Sequence, residues 1–242
     1  MNTNKNVILP DLLIKCVVCL IGIISLNMAR TMGENLPALY GLESGGEVIL
    51  MLPCIGWSLF ISLPLALYAA HTHFHVSRLG YMELIRYGKY SKWRRHNYIH
   101  EMWFCLIYTF VAVASQFIFD SRYVADSAIL TGGLTSASLI LLSLIMQCAV
   151  FQCLYLQTQH GEKVLVIMIL LNIVGAALGY VLPQAVIFMP ASWAMYARSS
   201  AYIDGGYSIL IALTIVLAII ACAFFIKPRV ESSVFLPRNQ AK

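Results

Sequence analysis

Charge is what this chain has least of. Only 11% of its 242 residues are Asp, Glu, Lys or Arg, against about 25% in a soluble domain. No charged residue occurs between Glu47 and Arg78, between Asp126 and Glu162, between Lys163 and Arg198, or between Asp204 and Lys227. Each gap is longer than the ~20 apolar residues that cross a bilayer. Two shorter apolar stretches lie at 12–29 and 102–119. Six membrane spans are predicted, at about 12–29, 48–70, 102–119, 133–156, 164–182 and 208–226.

Other absences narrow the function. The alternating in-and-out pattern of a barrel strand is missing. The spans are therefore predicted to be helices, because backbone amides in hydrocarbon must be satisfied within the segment. The loops are too short for a soluble domain, so residues 1–242 form one all-α polytopic membrane domain. No G-x-x-x-x-G-K-[ST] loop occurs, so any ATP and Mg2+ used must sit on a separate ATPase chain, with no cofactor expected in this one. No Asp, Glu, Lys or Arg falls deep in a span; Lys15 and Glu101 lie near span ends. Ion-coupled transporters place such a group near the midplane, which disfavours ion coupling. No nucleic-acid partner is expected. The region after the first span lacks an A-x-A-like cleavage site, so that span is read as a retained helix.

The seven cysteines, Cys16, Cys19, Cys54, Cys105, Cys148, Cys153 and Cys222, all lie in or beside apolar spans. There they act as small apolar residues, and neither disulfides nor a metal site is expected. Ser58, Gln116, Ser143, Gln147, Gln152 and Asn172 are the polar side chains within spans; they either bond between helices or line a path. Gly175 and Gly179 make a small-xxx-small pair that permits close helix packing. Gly132, Gly133, Ser136 and Ala137 offer a second such face.

Orientation follows from the basic residues. With the N-terminus inside, thirteen Lys and Arg fall in inside segments and three, Arg30, Arg122 and Arg198, in outside loops. Both termini are then cytoplasmic.

Six of the sixteen basic residues cluster at Arg78, Arg86, Lys89, Lys92, Arg94 and Arg95. The block Tyr81–Glu101 is also rich in aromatics. Tyr81–Tyr87 is predicted to be a short helix, with Gly88 as its stop and Ser91 as the N-cap of the third span. Two-residue offsets of about 200° set Leu84 opposite Arg86, so an apolar-aromatic face opposes a basic one. Such an element lies flat under the bilayer, with its basic side toward lipid headgroups. A connection of this length argues for more than a simple anchor.

The stretch Glu83-Leu84-Ile85-Arg86-Tyr87-Gly88-Lys89-Tyr90-Ser91-Lys92-Trp93 resembles the segment between the second and third helices of permeases in the type-2 exporter class of ABC transporters. The small permeases of lantibiotic or bacteriocin export and immunity are the nearest resemblance. The stretch Met189-Pro190-Ala191-Ser192-Trp193-Ala194-Met195-Tyr196-Ala197-Arg198-Ser199 is similar to the loop before their last helix. The family's common spelling SRKKWW is here Lys89-Tyr90-Ser91-Lys92-Trp93-Arg94. The resemblance, which covers essentially the whole chain, implies a cytosolic coupling helix that docks on an ATPase subunit. Glu83, Leu84, Arg86, Tyr87 and Lys89 would make the contact, with Trp93, Arg94 and Arg95 anchoring it at the membrane. It also implies a second permease chain, identical or related, and a bacterial cytoplasmic-membrane location. The apolar loop at 184–204, with Pro190, Trp193, Met195 and Arg198, would be a re-entrant hairpin on the outer side. An interfacial aromatic anchor is the alternative for that loop.

A rival reading comes from the histidines. His71/His75 and His96/His100 are two i,i+4 pairs near the cytosolic ends of spans two and three, with His73 close by. On helices such pairs share a face and chelate metal, as in membrane desaturases and hydroxylases. Too few histidines and no ligand spacing among Asp11, Glu83, Glu101 and Glu162 weigh against it.

Overall fold

The computed structural model describes residues 5–29, 37–42, 51–87, 90–158, 160–182 and 190–225; within these, the side chains of 5–10, 51, 75–87, 90–91, 124, 180–181 and 190–191 lie outside the description. The described residues form α1 (Lys5–Met28), α2 (Met51–Tyr87), α3 (Tyr90–Phe119), α4 (Arg122–Ala125), α5 (Ser127–Thr158), α6 (Gly161–Val181) and α7 (Ile209–Phe225). There is no β-strand among them, only an isolated bridge between Ser199 and Tyr207. Five helices, α1, α2, α3, α5 and α6, are long and apolar enough to cross a membrane. The sixth predicted span is α7, apolar throughout but 17 residues long.

The bundle is organised around α5, which packs on α2, α3, α6 and α7. Its sequence is apolar on all sides, as a helix surrounded by others requires. The more peripheral α1 and α6 turn Leu12, Leu13 and Leu20, and Leu170 and Leu171, outward. Exposed apolar side chains of this density belong in lipid or against another chain.

Backbone contacts set the helix spacing. A Cβ on Gly56 of α2 would come within 2.7 Å of the Ser25 carbonyl oxygen and 2.8 Å of the Ala29 nitrogen. Without a side chain there, α1 lies directly on the α2 backbone. Pro64 sits inside α2 without breaking it. A proline has no N–H, so the carbonyl four residues earlier, that of Phe60, loses its helical donor. The Tyr108 hydroxyl of α3 donates to that oxygen at 2.8 Å. Its ring stacks on Phe60, with centroids 5.3 Å apart. In hydrocarbon, such a donor from a neighbouring helix is what lets a proline persist.

A buried amide pair ties three helices. Asn172 of α6 and Gln147 of α5 exchange hydrogen bonds at 3.0 and 3.2 Å. Asn172 also donates to Ser62 of α2 at 3.1 Å. Of the other polar side chains within spans, Gln116 reaches Asn27 at 3.4 Å. Ser58 Oγ and Gln152 Nε2 are buried without a hydrogen-bond partner.

The predicted boundaries around the basic block need correction. Tyr81–Tyr87 is not a separate helix; it is the last part of α2, which runs unbroken for 37 residues. Nor is Ser91 an N-cap, because α3 already begins at Tyr90. Leaving a membrane does not end a helix; a breaker does. Between His71 and Tyr87 the sequence offers only Gly80, and one interior glycine costs about 1 kcal/mol.

Candidate functional site

At one end of the bundle, α2 and α3 form a helical hairpin whose tip is the α2–α3 connection. At ~1.5 Å per residue, the 37 residues of α2 extend about 55 Å, well past a hydrocarbon core of about 30 Å. The backbone of Glu83, Leu84, Arg86 and Tyr87 lies in the final turns of α2, next to the tip. Their side chains, and Gly88 and Lys89 altogether, lie outside the described residues.

The root of the hairpin is tied to the bundle. Trp93 is buried in the main core at 2% exposure. This corrects its expected place at the lipid interface: the aromatic faces inward because α3 is already packed on the bundle here. Arg94 donates to the Phe224 carbonyl near the end of α7 and lies 6.0 Å from the centre of that ring. A cation at the last carbonyls of a helix is electrostatically favourable. Arg95 is exposed. Asn97 donates to Thr72 at 3.3 Å, joining α3 to α2. Beside them, a groove of about 570 Å³ is lined by Arg94, Arg95, Tyr98, Met102, Leu142 and Phe224, among others. It is apolar along its length and basic at one end.

The histidine pairs meet only in part. His71 and His100 stack with ring centres 5.7 Å apart, and His73 lies edge-on to Tyr155 at 6.4 Å. The side chain of His75 lies outside the description. Among the described residues, the grouping able to hold a metal ion is Glu101, Cys105 and Cys148, and it contains no histidine.

The opposite end is closed by loops. Pro190–Ala194 and Tyr196–Arg198 are short 3-10 turns. Trp193 and Met195 are buried. The Tyr207 hydroxyl lies 2.8 and 3.2 Å from the carbonyl oxygens of Trp193 and Met195 and donates its one proton between them. Gly205 supplies the positive φ of +83° that turns the chain back.

Arg198, counted from sequence as an outside loop charge, is wholly buried. It donates to Leu42 O at 2.9 Å, Ala176 O at 2.8 Å, Gly175 O at 3.3 Å and Ser192 Oγ at 2.9 Å. One guanidinium thus joins the first loop, α6 and the last loop. Burial lowers its pKa to about 10, which leaves it cationic at neutral pH. Gly179 has a different role from the helix packing expected of it: a Cβ there would run into Arg198 Nη1. Gly132 and Gly133 likewise receive the rings of Tyr40 and Tyr123. The Ser136 hydroxyl donates to the Leu39 carbonyl. The small residues near the ends of α5 and α6 admit side chains from the loops and from the short α4, not another spanning helix.

No family model, curated protein or solved structure matches the chain.

Proposed function

We propose that this chain is the membrane-spanning permease subunit of an ATP-driven exporter of the ABC class. The observation that carries the reading is the α2–α3 hairpin: a 37-residue helix followed by a 30-residue one, with two residues between them. A hairpin longer than the bilayer is thick reaches into the aqueous phase as a stiff lever. Its distal part holds the basic, aromatic block that resembles the coupling segment of such permeases. The absence of a phosphate-binding loop fits an engine on a separate subunit.

In this reading six helices cross a bacterial cytoplasmic membrane with both termini inside. Glu83, Leu84, Arg86, Tyr87 and Lys89 grip an ATPase that holds ATP and Mg2+. The chain pairs with a second permease, identical or related. ATP binding closes the ATPases and moves the hairpin. Because Asn97, Tyr98 and Arg94 tie the root of the hairpin to α2, α5 and α7, that movement is passed into the bundle. The apolar groove with Arg94 and Arg95 at its mouth suits an amphipathic cargo, such as a peptide antibiotic. Export for secretion and for self-protection share this chemistry.

Replacing Glu83, Arg86 and Tyr87 together by Ala is the test. The variant is expected to insert normally and to lose both ATPase binding and transport. Normal assembly and transport in the triple variant would contradict the coupling role.

A further inference from the structure

Three potential ligand side chains meet where α3 packs on α5. Glu101 and Cys105 are four residues apart on α3, which stacks them on one face. Cys148 meets them from α5. A carboxylate oxygen of Glu101 and the Sγ atoms of Cys105 and Cys148 all lie within 4.8 Å of one another. All three residues are buried, Glu101 to 3% exposure. Glu101 Oε1 has no hydrogen-bond partner. A carboxyl oxygen without a partner in so dry a place is costly. It asks for an electrophile that the sequence reading, which treated these cysteines as packing, did not supply.

We propose that Glu101, Cys105 and Cys148 form a binding site for a soft cation of the zinc(II) kind. Zn–S and Zn–O bonds of about 2.3 and 2.1 Å place tetrahedral ligand atoms roughly 3.4–3.8 Å apart. Gathering atoms already within 4.8 Å onto one ion takes small side-chain rotations. Two sulfurs and one oxygen favour a thiophilic ion over Mg2+ or Ca2+, which take all-oxygen shells. Binding displaces both thiol protons and the carboxyl proton to solvent, and leaves two thiolates and a carboxylate on the metal. The carboxylate gains the partner it lacks. The fourth position of a three-ligand zinc site is left to water or another donor. Because Glu101 and Cys105 are on α3 and Cys148 is on α5, the ion would brace the hairpin against the central helix. The inference stands apart from the exporter reading and from the histidine pairs.

The test uses the full chain, purified in detergent and stripped with a chelator. Co2+ serves as the first probe and Zn2+ as its competitor. The expected result is about one Co2+ per chain, with a near-ultraviolet thiolate-to-cobalt band that Zn2+ abolishes. Cys148→Ser and Glu101→Gln are each expected to weaken Zn2+ binding at least about tenfold. Serine at the exposed Cys16 and Cys222 should leave it unchanged. The titration of the unaltered chain needs no variant to fold. Co2+ bound without a thiolate band, no binding at all, or equal Zn2+ retention by a Cys105→Ser, Cys148→Ser double variant would each overturn the site.

Discussion

Tyr108 and Pro64 are chemically matched. The proline removes the donor for the Phe60 carbonyl, and the tyrosine hydroxyl replaces it. Tyr108→Phe leaves that oxygen buried and unpaired, at an expected cost of about 1–3 kcal/mol. In a Pro64→Ala background the helix supplies its own N–H, so the same substitution should cost less. Reversible unfolding in mixed micelles measures both; equal losses in the two backgrounds would refute the pairing. Arg198 and Gly179 form a second couple. Gly179→Ala pushes a methyl into the guanidinium, which holds three segments together and cannot simply swing away. A loss of about 1–3 kcal/mol is expected, shrinking in an Arg198→Ala background as neighbouring sites do when they share a contact. Neither couple was legible in the sequence. Pro64 precedes Tyr108 by 44 positions, and only the register of α2 on α3 brings them together. Arg198 is the lone basic residue of the apolar outer loop at 184–204, and its burial depends on carbonyls contributed by distant segments.

At the scale of elements, hydropathy located the helices and misjudged their ends. The charge-free runs correspond to α2, α5, α6 and α7 because burial in lipid and burial in a bundle demand the same residues. The ends of α2 and α3 escaped because polar, basic sequence can remain helical in water, and nothing between His71 and Tyr87 stops it. Close packing was misplaced for a related reason. Gly175 and Gly179 carry the spacing that suggests a helix contact, yet the glycine lying directly against a helix backbone is Gly56, alone in an apolar run. Gly56→Ala must push α1 off α2, since the obstructing atoms are backbone rather than mobile side chain. The expected loss is about 1–3 kcal/mol, together with faster proteolysis near α1. A variant as stable as the parent, with α1 equally protected, would contradict that contact. Asn172→Leu should cost less, about 0.6 kcal/mol and at most about 1.7, the average and the maximum for hydrogen bonds between membrane helices.

Across the whole molecule, a bundle with lipid-suited outer faces carries a tied-down loop end and a projecting hairpin end. The loop end is braced by Arg198, Tyr207, and Tyr40 and Tyr123, whose rings rest against the glycines of α5. The hairpin end is rooted through Asn97, Tyr98 and Arg94 on α2, α5 and α7; in the proposed exporter, force on its tip would reach those helices. Composition alone gave the membrane class and the basic block. It did not give the hairpin's continuity, on which the lever depends. The central claim is that the tip of this hairpin grips a nucleotide-hydrolysing partner, and contact is the direct test. A photocrosslinking amino acid placed at Tyr87, in the membranes of the native host, should trap an ATPase bearing a phosphate-binding loop, with a yield that changes when ATP is added. The same probe at Tyr196, at the loop end, should trap none. Equal trapping from both positions, or transport by the chain alone in liposomes with no ATPase bound at Tyr87, would contradict the account.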